Sequence, residues 1–462
     1  MRTESDLLGE LQIPETAYYG VQTQRAINNF KISNNYLSHY PEFVKALGVV
    51  KLGAAQANHE LGILSKELFD AISFASNELI AGKYTEQFPI DMIQGGAGTS
   101  TNMNANEVIA NIALEHLGKQ KGEYQFCSPN DHVNLSQSTN DAYPSALKLA
   151  LFNMNKPLID ALTSLYEAFD KKGKQFGNVI KMGRTQLQDA VPMTLGQEFE
   201  GFSNTLHKEV DNLNRIAAEL LVINMGATAI GTGLNAVPGY AQLCTTKIAE
   251  IMNEDVSLAD NLVEATSDTS SFVDYSSALK RLCVKLSKIC NDLRLLTSGP
   301  RTGLFEINLP PKQPGSSIMP GKVNPVIPEV VNQVCFKVIG NDLSITMAAE
   351  AGQLQLNVME PIIGFSIMES IQYLTNAMNT LRVECVDGIT ANAEHLKNEV
   401  QNSIGIVTAL NPYIGYKAST KIAKEALETG GGVYQLVLDH GLLSKERLDE
   451  ILDPKNMLGP HI

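Results

Sequence analysis

The chain has 462 residues, with 36 Lys+Arg against 50 Asp+Glu, and so a formal charge of −14. At roughly 150 residues per folding unit, this length predicts about three units with ample chain for a buried core. Its 44% hydrophobic and 19% charged fractions exclude disorder, and its acidic balance argues against a nucleic-acid partner while leaving room for a small anion in a locally positive pocket.

The N-terminal stretch MRTESDLLGELQIPETAYYG carries charges and a proline but no apolar run of signal-peptide length. No run of about 20 apolar residues suggests a membrane span. A cytoplasmic protein with no membrane partner is therefore expected. The six cysteines, at 127, 244, 283, 290, 335 and 385, form no CxxC pair or Cys/His cluster. No metal or redox site is expected from them; Cys283 and Cys290, seven apart in a strongly helical stretch, are read as small buried apolar residues rather than a disulfide.

Residues 1–140 mix Gly/Asn-rich loops with shorter helices and are read as an N-terminal domain. Two polar segments close it: QGGAGTSTNMNANE (94–107) and NLSQSTNDAYP (134–144). Thr99, Ser100, Thr101 and Asn102 in one, and Ser136, Ser138, Thr139 and Asn140 in the other, stand just before predicted helices. Loops that open helices present free N–H groups, which suit a carboxylate. His132, beside the second segment, is read as a hydrogen-bonded structural histidine.

Residues 141–394 are read as one long-helix domain. Apolar stripes at helical spacing run through Leu158, Leu162, Leu165 and Phe169, then from Phe199 through Leu206 and Leu213 to Leu220. Leu279, Leu282, Leu286, Ile289, Leu293 and Leu296 follow in strict 3-4-3-4-3 steps, a heptad seam. Thr297-Ser298-Gly299-Pro300 should stop that helix. Val331, Val334, Val338 and Ile345 mark a fourth stripe, and Ile363 to Leu381 a fifth. Five helices of about 25–30 residues would each span about 40 Å, so a mainly all-α fold with a central five-helix bundle is expected. Val284, Cys290 and Leu295 add apolar surface beside the third seam, which predicts burial against other copies of the chain.

Two more polar segments interrupt these helices: KMGRTQLQDAVPMTLGQE (181–198) and PGSSIMPGKVNPVIPE (314–329). In the latter, Gly315 and Gly321 bracket Ser316, Ser317 and Lys322. Such a loop can move and can approach a ligand closely. Lys322 can attract a carboxylate, and a serine among N–H groups and cations can have its alkoxide stabilised. Gly231-Thr232-Gly233 lacks a third glycine and a preceding strand, so it is no nucleotide signal. Residues 395–462, broken by Asn411-Pro412 and Gly430-Gly431-Gly432, are read as a small helical C-terminal domain; Ser444 should cap a last short helix with Leu448, Ile451 and Leu452.

Taken together, the four polar segments resemble the fumarase/aspartase superfamily over essentially the whole chain. GSSIMPGKVNP is similar to its signature loop, and QGGAGTSTNMNANEVIAN, NDHVNLSQSTNDAYP, GRTQLQDAVPMTLGQEF and MGATAIGTGLN resemble the aspartase versions of its other motifs. Gln186 stands where fumarases typically carry His, which favours the aspartase branch. The resemblance implies a homotetramer with one tetrameric helical core, active sites each shared by three subunits, and a small dicarboxylate substrate. It implies reversible anti-elimination of ammonia from L-aspartate to fumarate through an enediolate, with no cofactor in the chemistry; Mg2+ enters only as an activator known in some members. Carried over residue by residue, Ser316 is the general base and Ser317 assists the oxyanion. Thr99, Ser138 and Thr139 hold the β-carboxylate; Thr185, Lys322 and Asn324 hold the α-carboxylate. Asn140 with Thr99 meets the ammonium, and Gln186 lies near it, able to hydrogen-bond but not to shuttle a proton.

Overall fold

The computed structural model describes residues 1–457. Among them are 17 α-helices and four two-stranded sheets, so the mainly α expectation holds. No helix of these residues is long and apolar enough to cross a membrane.

All five stripes fall on long helices, except that Leu220 lies in the 3-10 turn Ala218–Leu221 just past the second: Thr139–Gln175, Leu195–Ala217, Ser270–Leu296, Val326–Glu350 and Glu360–Glu384, of 37, 23, 27, 25 and 25 residues. The first begins 19 residues before its recognised stripe, at Thr139 instead of Leu158. Its opening turns bury Ala142, Tyr143, Ala146, Leu147, Leu149, Ala150 and Leu151 together. An all-round apolar helix has no stripe for periodicity to detect. The heptad seam from Leu279 to Leu296 is buried throughout, and its helix ends at Leu296 as the Gly-Pro stop requires. Of the three flanking residues, Val284 and Leu295 are exposed but Cys290 is fully buried. All six cysteines are buried.

The chain divides into two compact units. The first contains Met1–Ile159, Asp211–Cys283 and Phe336–Leu374. Its N-terminal hairpin pairs Arg2–Asp6 with Gly9–Ile13. Its core includes the Pro41–Glu60 helix, where Phe43, Val44, Leu47 and Val50 are sealed. The Thr99–His116 helix is buried from Thr101 to Leu114, asparagines included. Buried amides require partners, and most of the hydrogen bonds described below follow from that need. One apolar row of this unit stays open: Phe336, Leu343 and Met347 are each more than 60% exposed, at i, i+7 and i+11 on the Val326–Glu350 helix.

The second unit contains Asp160–Val210, Val284–Cys335 and the chain from Thr375 onwards. Phe169, Phe199 and Phe202 form an aromatic cluster there, with Phe176 edge-on to Phe199. The 181–198 segment supplies an antiparallel hairpin, Ile180–Thr185 with Gln188–Thr194. Gln186 and Leu187 form its two-residue tip with φ of 55° and 63°, the positive-φ pair a tight hairpin turn needs. Near the C-terminus Ser444 caps the Lys445–Ile451 helix by accepting the Arg447 N–H. Leu448 and Ile451 are buried as expected, whereas Leu452 sits just past the helix, and a further short helix, Pro454–Met457, follows.

Candidate functional site

In the first unit the 94–107 and 134–144 segments meet. Gly98, at φ 86°, precedes the Thr99–His116 helix. A Cβ on it would fall 2.4 Å from the Tyr143 ring, so glycine alone lets this turn press against the start of the Thr139–Gln175 helix. Thr99 is exposed at the first turn, and its hydroxyl donates to the Gly96 carbonyl at 2.8 Å. Asn102 Nδ2 donates to Thr139 Oγ1 at 3.3 Å and to Asn134 Oδ1 at 3.0 Å. Ser138 Oγ accepts the Asn140 N–H at 3.2 Å.

Beneath these loops lies Lys51, fully buried in the Pro41–Glu60 helix. Its ammonium donates to Asn102 Oδ1 at 2.7 Å, Gln137 Oε1 at 2.8 Å and Asn134 Oδ1 at 3.2 Å. Burial pulls its pKa down to about 7, partly offset by the attraction of Asp141. Asp141 is sealed as well; burial pushes it up to about 6 against the pull of its backbone donors. It accepts N–H groups from Ser138 at 2.9 Å, Thr228 at 2.9 Å and Gly226 at 3.1 Å. Asn140 Nδ2 donates to the Ala229 carbonyl at 2.7 Å. The MGATAIGTGLN segment therefore belongs to the same constellation as Ser138, Thr139 and Asn140, its Gly231 and Gly233 N–H groups both turned onto the Ala227 carbonyl.

Lys51, Asn134, Gln137 and Asp141 were not among the residues singled out from the sequence, and Asn102 was named only as part of a polar run before a helix. Lys51 had left one legible signal, a lone cation inside the apolar run ALGVVKLGAA. His132 fulfils its structural reading: Nδ1 accepts the Ser128 N–H at 2.9 Å.

In the second unit, Ser316 is half-buried. Its Oγ accepts the N–H groups of Met319 at 2.9 Å and Ile318 at 3.2 Å. Two converging donors are what an oxyanion requires. The loop is closed on itself: Gly315 N donates to the Lys322 carbonyl, and Asn324 Nδ2 to the Gly315 carbonyl, both at 2.7 Å. Ser317 and Lys322 are exposed. Lys322 and Asn324 line a cleft of about 650 Å³ with Arg294, Ser298 and Asn308.

Thr185 and Gln186 stand exposed at the hairpin tip. No hydrogen bond joins them to the 314–329 loop among the described residues. The base of the hairpin is anchored instead. Buried Glu306 pairs with both Lys181 and Arg184, and Lys181 also reaches Glu198 at 2.7 Å. The ten residues singled out thus fall into two sets: Thr99, Ser138, Thr139 and Asn140 in the first unit, the other six in the second.

Comparison with known proteins gives a consistent picture. Residues 9–340 match a family model described as "Lyase", and 406–459 one described as "Fumarase C C-terminus". Aspartate ammonia-lyase of Pseudomonas aeruginosa is 60% identical over all of this chain and 98% of its own. The enzymes of the same name from Helicobacter pylori and Escherichia coli are each 57% identical, again over the whole chain and over 98% and 96% of theirs. A Brucella melitensis structure titled fumarate lyase:delta crystallin, bound to cobalt, superposes with a TM-score of 0.97 at 53% identity, over 99% of this chain and 100% of that one. Class II fumarase from Schistosoma mansoni reaches 0.94 at only 35% identity, with both chains covered completely. The fold is common to both branches, but the sequence is much nearer one of them: this chain belongs to the aspartate ammonia-lyase family of the fumarase/aspartase superfamily.

Proposed function

We propose that this chain catalyses the reversible elimination of ammonia from L-aspartate to give fumarate. Ser316, as alkoxide, takes a proton from Cβ. The electron pair left behind moves into the β-carboxylate to form an enediolate, which Thr99, Ser138 and Thr139 stabilise by donating hydrogen bonds, with Ser317 assisting. Collapse of the enediolate forms the C=C bond and breaks the Cα–N bond; the amine leaves as ammonia. Thr185, Lys322 and Asn324 hold the α-carboxylate, and Asn140, Thr99 and Gln186 surround the amine. The observation that carries this reading is the pair of N–H groups on Ser316 Oγ, since a serine can act as a base only where its oxyanion is favoured.

The same reading takes the enzyme as a cytoplasmic homotetramer with active sites shared by three subunits. The open row Phe336, Leu343 and Met347 supports assembly, because apolar rows of this kind are normally covered. The buried free thiols of Cys127, Cys244, Cys290, Cys335 and Cys385 suit a reducing compartment. No cofactor takes part in the steps above, and Mg2+ enters only as an activator at a separate site, tested by titrating the metal into the assay. The decisive experiment compares fumarate formation from L-aspartate and from L-malate. Aspartate should be strongly preferred; faster turnover of malate would assign the chain to hydration instead.

A further inference from the structure

Thr228 breaks a local rule. A β-branched residue rarely accepts positive φ, yet Thr228 sits at φ 56°. It is 4% exposed, and its hydroxyl is buried without a hydrogen-bond partner among the described residues. What holds it there is Asp141, whose Oδ2 accepts the N–H groups of both Thr228 and Gly226 while Oδ1 accepts that of Ser138. The next carbonyl along the chain, that of Ala229, takes Asn140 Nδ2 at 2.7 Å. Asn224 Nδ2 closes the loop from the other side onto the Asn140 carbonyl at 3.1 Å. The bond from Nδ2 to a backbone carbonyl fixes which way the amide faces, with Nδ2 on the turn and Oδ1 on the other side as an acceptor. An acceptor suits an ammonium, which can only donate.

We propose that Asp141 is a positioning residue for ammonia elimination: its carboxylate holds the strained 226–229 turn so that the Ala229 carbonyl fixes the amide of Asn140 with Oδ1 toward the substrate's ammonium. This rests on Asn140 meeting the ammonium, as set out under the proposed function. Asp141 touches no substrate and acts through Asn140.

The test is a double-mutant cycle read with two ligands: aspartate, and succinate as a competitive inhibitor that has both carboxylates but no amine. Asp141→Asn presents an amide N–H where the carboxylate met backbone donors, and should raise KM for aspartate roughly tenfold, the scale of one lost charge-assisted hydrogen bond. Ki for succinate should stay within about twofold. In an Asn140→Ala background the effect of Asp141→Asn should disappear. Thr228→Gly, which relieves the strain, should recover part of the loss in the Asp141→Asn protein. A parallel rise in KM and succinate Ki, or an undiminished effect without Asn140, would overturn the role of Asp141. Should Asn140→Ala itself leave aspartate KM unchanged, the ammonium role of Asn140 falls, a failure distinct from that of Asp141. If Asp141→Asn does not fold, Gly226→Ala displaces the same turn, because its Cβ would lie 2.5 Å from that of Ala241, and the same two ligands read the result.

Discussion

Ser316 Oγ accepts the Met319 N–H at 2.9 Å, three residues along its own loop. In the proposed mechanism the base and its stabilising donors are therefore one piece of backbone, able to move together. Ser316→Ala should lower kcat by about 10²–10⁴, the usual contribution of a positioned base, with the native mass of the assembly unchanged. Fumarate release followed by its ultraviolet absorbance, beside light scattering on the same sample, gives both readouts. Substantial residual turnover would remove Ser316 from the base role.

Gly315 permits that loop to close. A Cβ there would stand 2.6 Å from the Lys322 carbonyl oxygen and 2.8 Å from the Asn324 nitrogen. Both are backbone atoms and cannot swing aside as a side-chain end would. Gly315→Ala should therefore open the loop and pull Lys322 and Asn324 out of register with Ser316. The expected loss is in both kcat and KM, as for loops that complete a site on closure, with thermal stability nearly unchanged because the segment is mostly exposed. Wild-type kinetics in the alanine variant would show that closure is not needed.

Most of the fold was legible because a seam such as Leu279 to Leu296 repeats a period that few alternatives satisfy. The opening of the Thr139–Gln175 helix was not, since burial on all sides erases the period. Of the site, the loop residues were legible as motifs. Their support was mostly not: Lys51 left only the trace of a lone cation in an apolar run, and for Asp141 and Glu306 only burial reveals that each must have partners. The 181–198 hairpin was likewise hidden. Gln186 and Leu187 are not the Asn-Gly pair that normally announces a two-residue turn.

Glu107 makes the stability depend on pH in a direction opposite to the usual paired carboxylate. It is fully buried on the Thr99–His116 helix, accepting Gly20 N–H at 2.8 Å, Gln22 N–H at 2.8 Å and the Thr23 hydroxyl at 2.6 Å. Burial pushes it up to about 7 in spite of these donors, with Glu4 adding to the rise. The folded chain then keeps a proton that the unfolded chain, at the ordinary value of 4.5, releases. Stability from this group is present below about 4.5 and is lost as pH rises to about 7, by an amount on the order of 3 kcal/mol. Glu107→Gln cannot titrate, so its denaturation midpoint should fall less than that of the wild type between pH 5 and pH 7.5 at equal protein concentration. Identical slopes would show that Glu107 titrates alike in both states.

Leu343 tests how the subunits assemble. It is 62% exposed at the centre of the row formed with Phe336 and Met347, on a helix whose inner side is already filled by Val331, Cys335, Val338 and Ile345. A partner subunit covering this row would bury Leu343, and an arginine in its place would carry an unpaired charge into that interface, costing several kcal/mol per copy. In the proposed homotetramer, Leu343→Arg should therefore reduce the native mass from four chains to fewer, and turnover should vanish with it if each site draws residues from three subunits. Leu427→Arg makes the comparison: Leu427 is 76% exposed on the Tyr416–Thr429 helix of the second unit, and its arginine variant should leave mass and activity as they were. A Leu343→Arg protein with unchanged mass would show that this row faces water. One that dissociates yet turns over aspartate at the wild-type rate would show that each chain holds a complete site by itself.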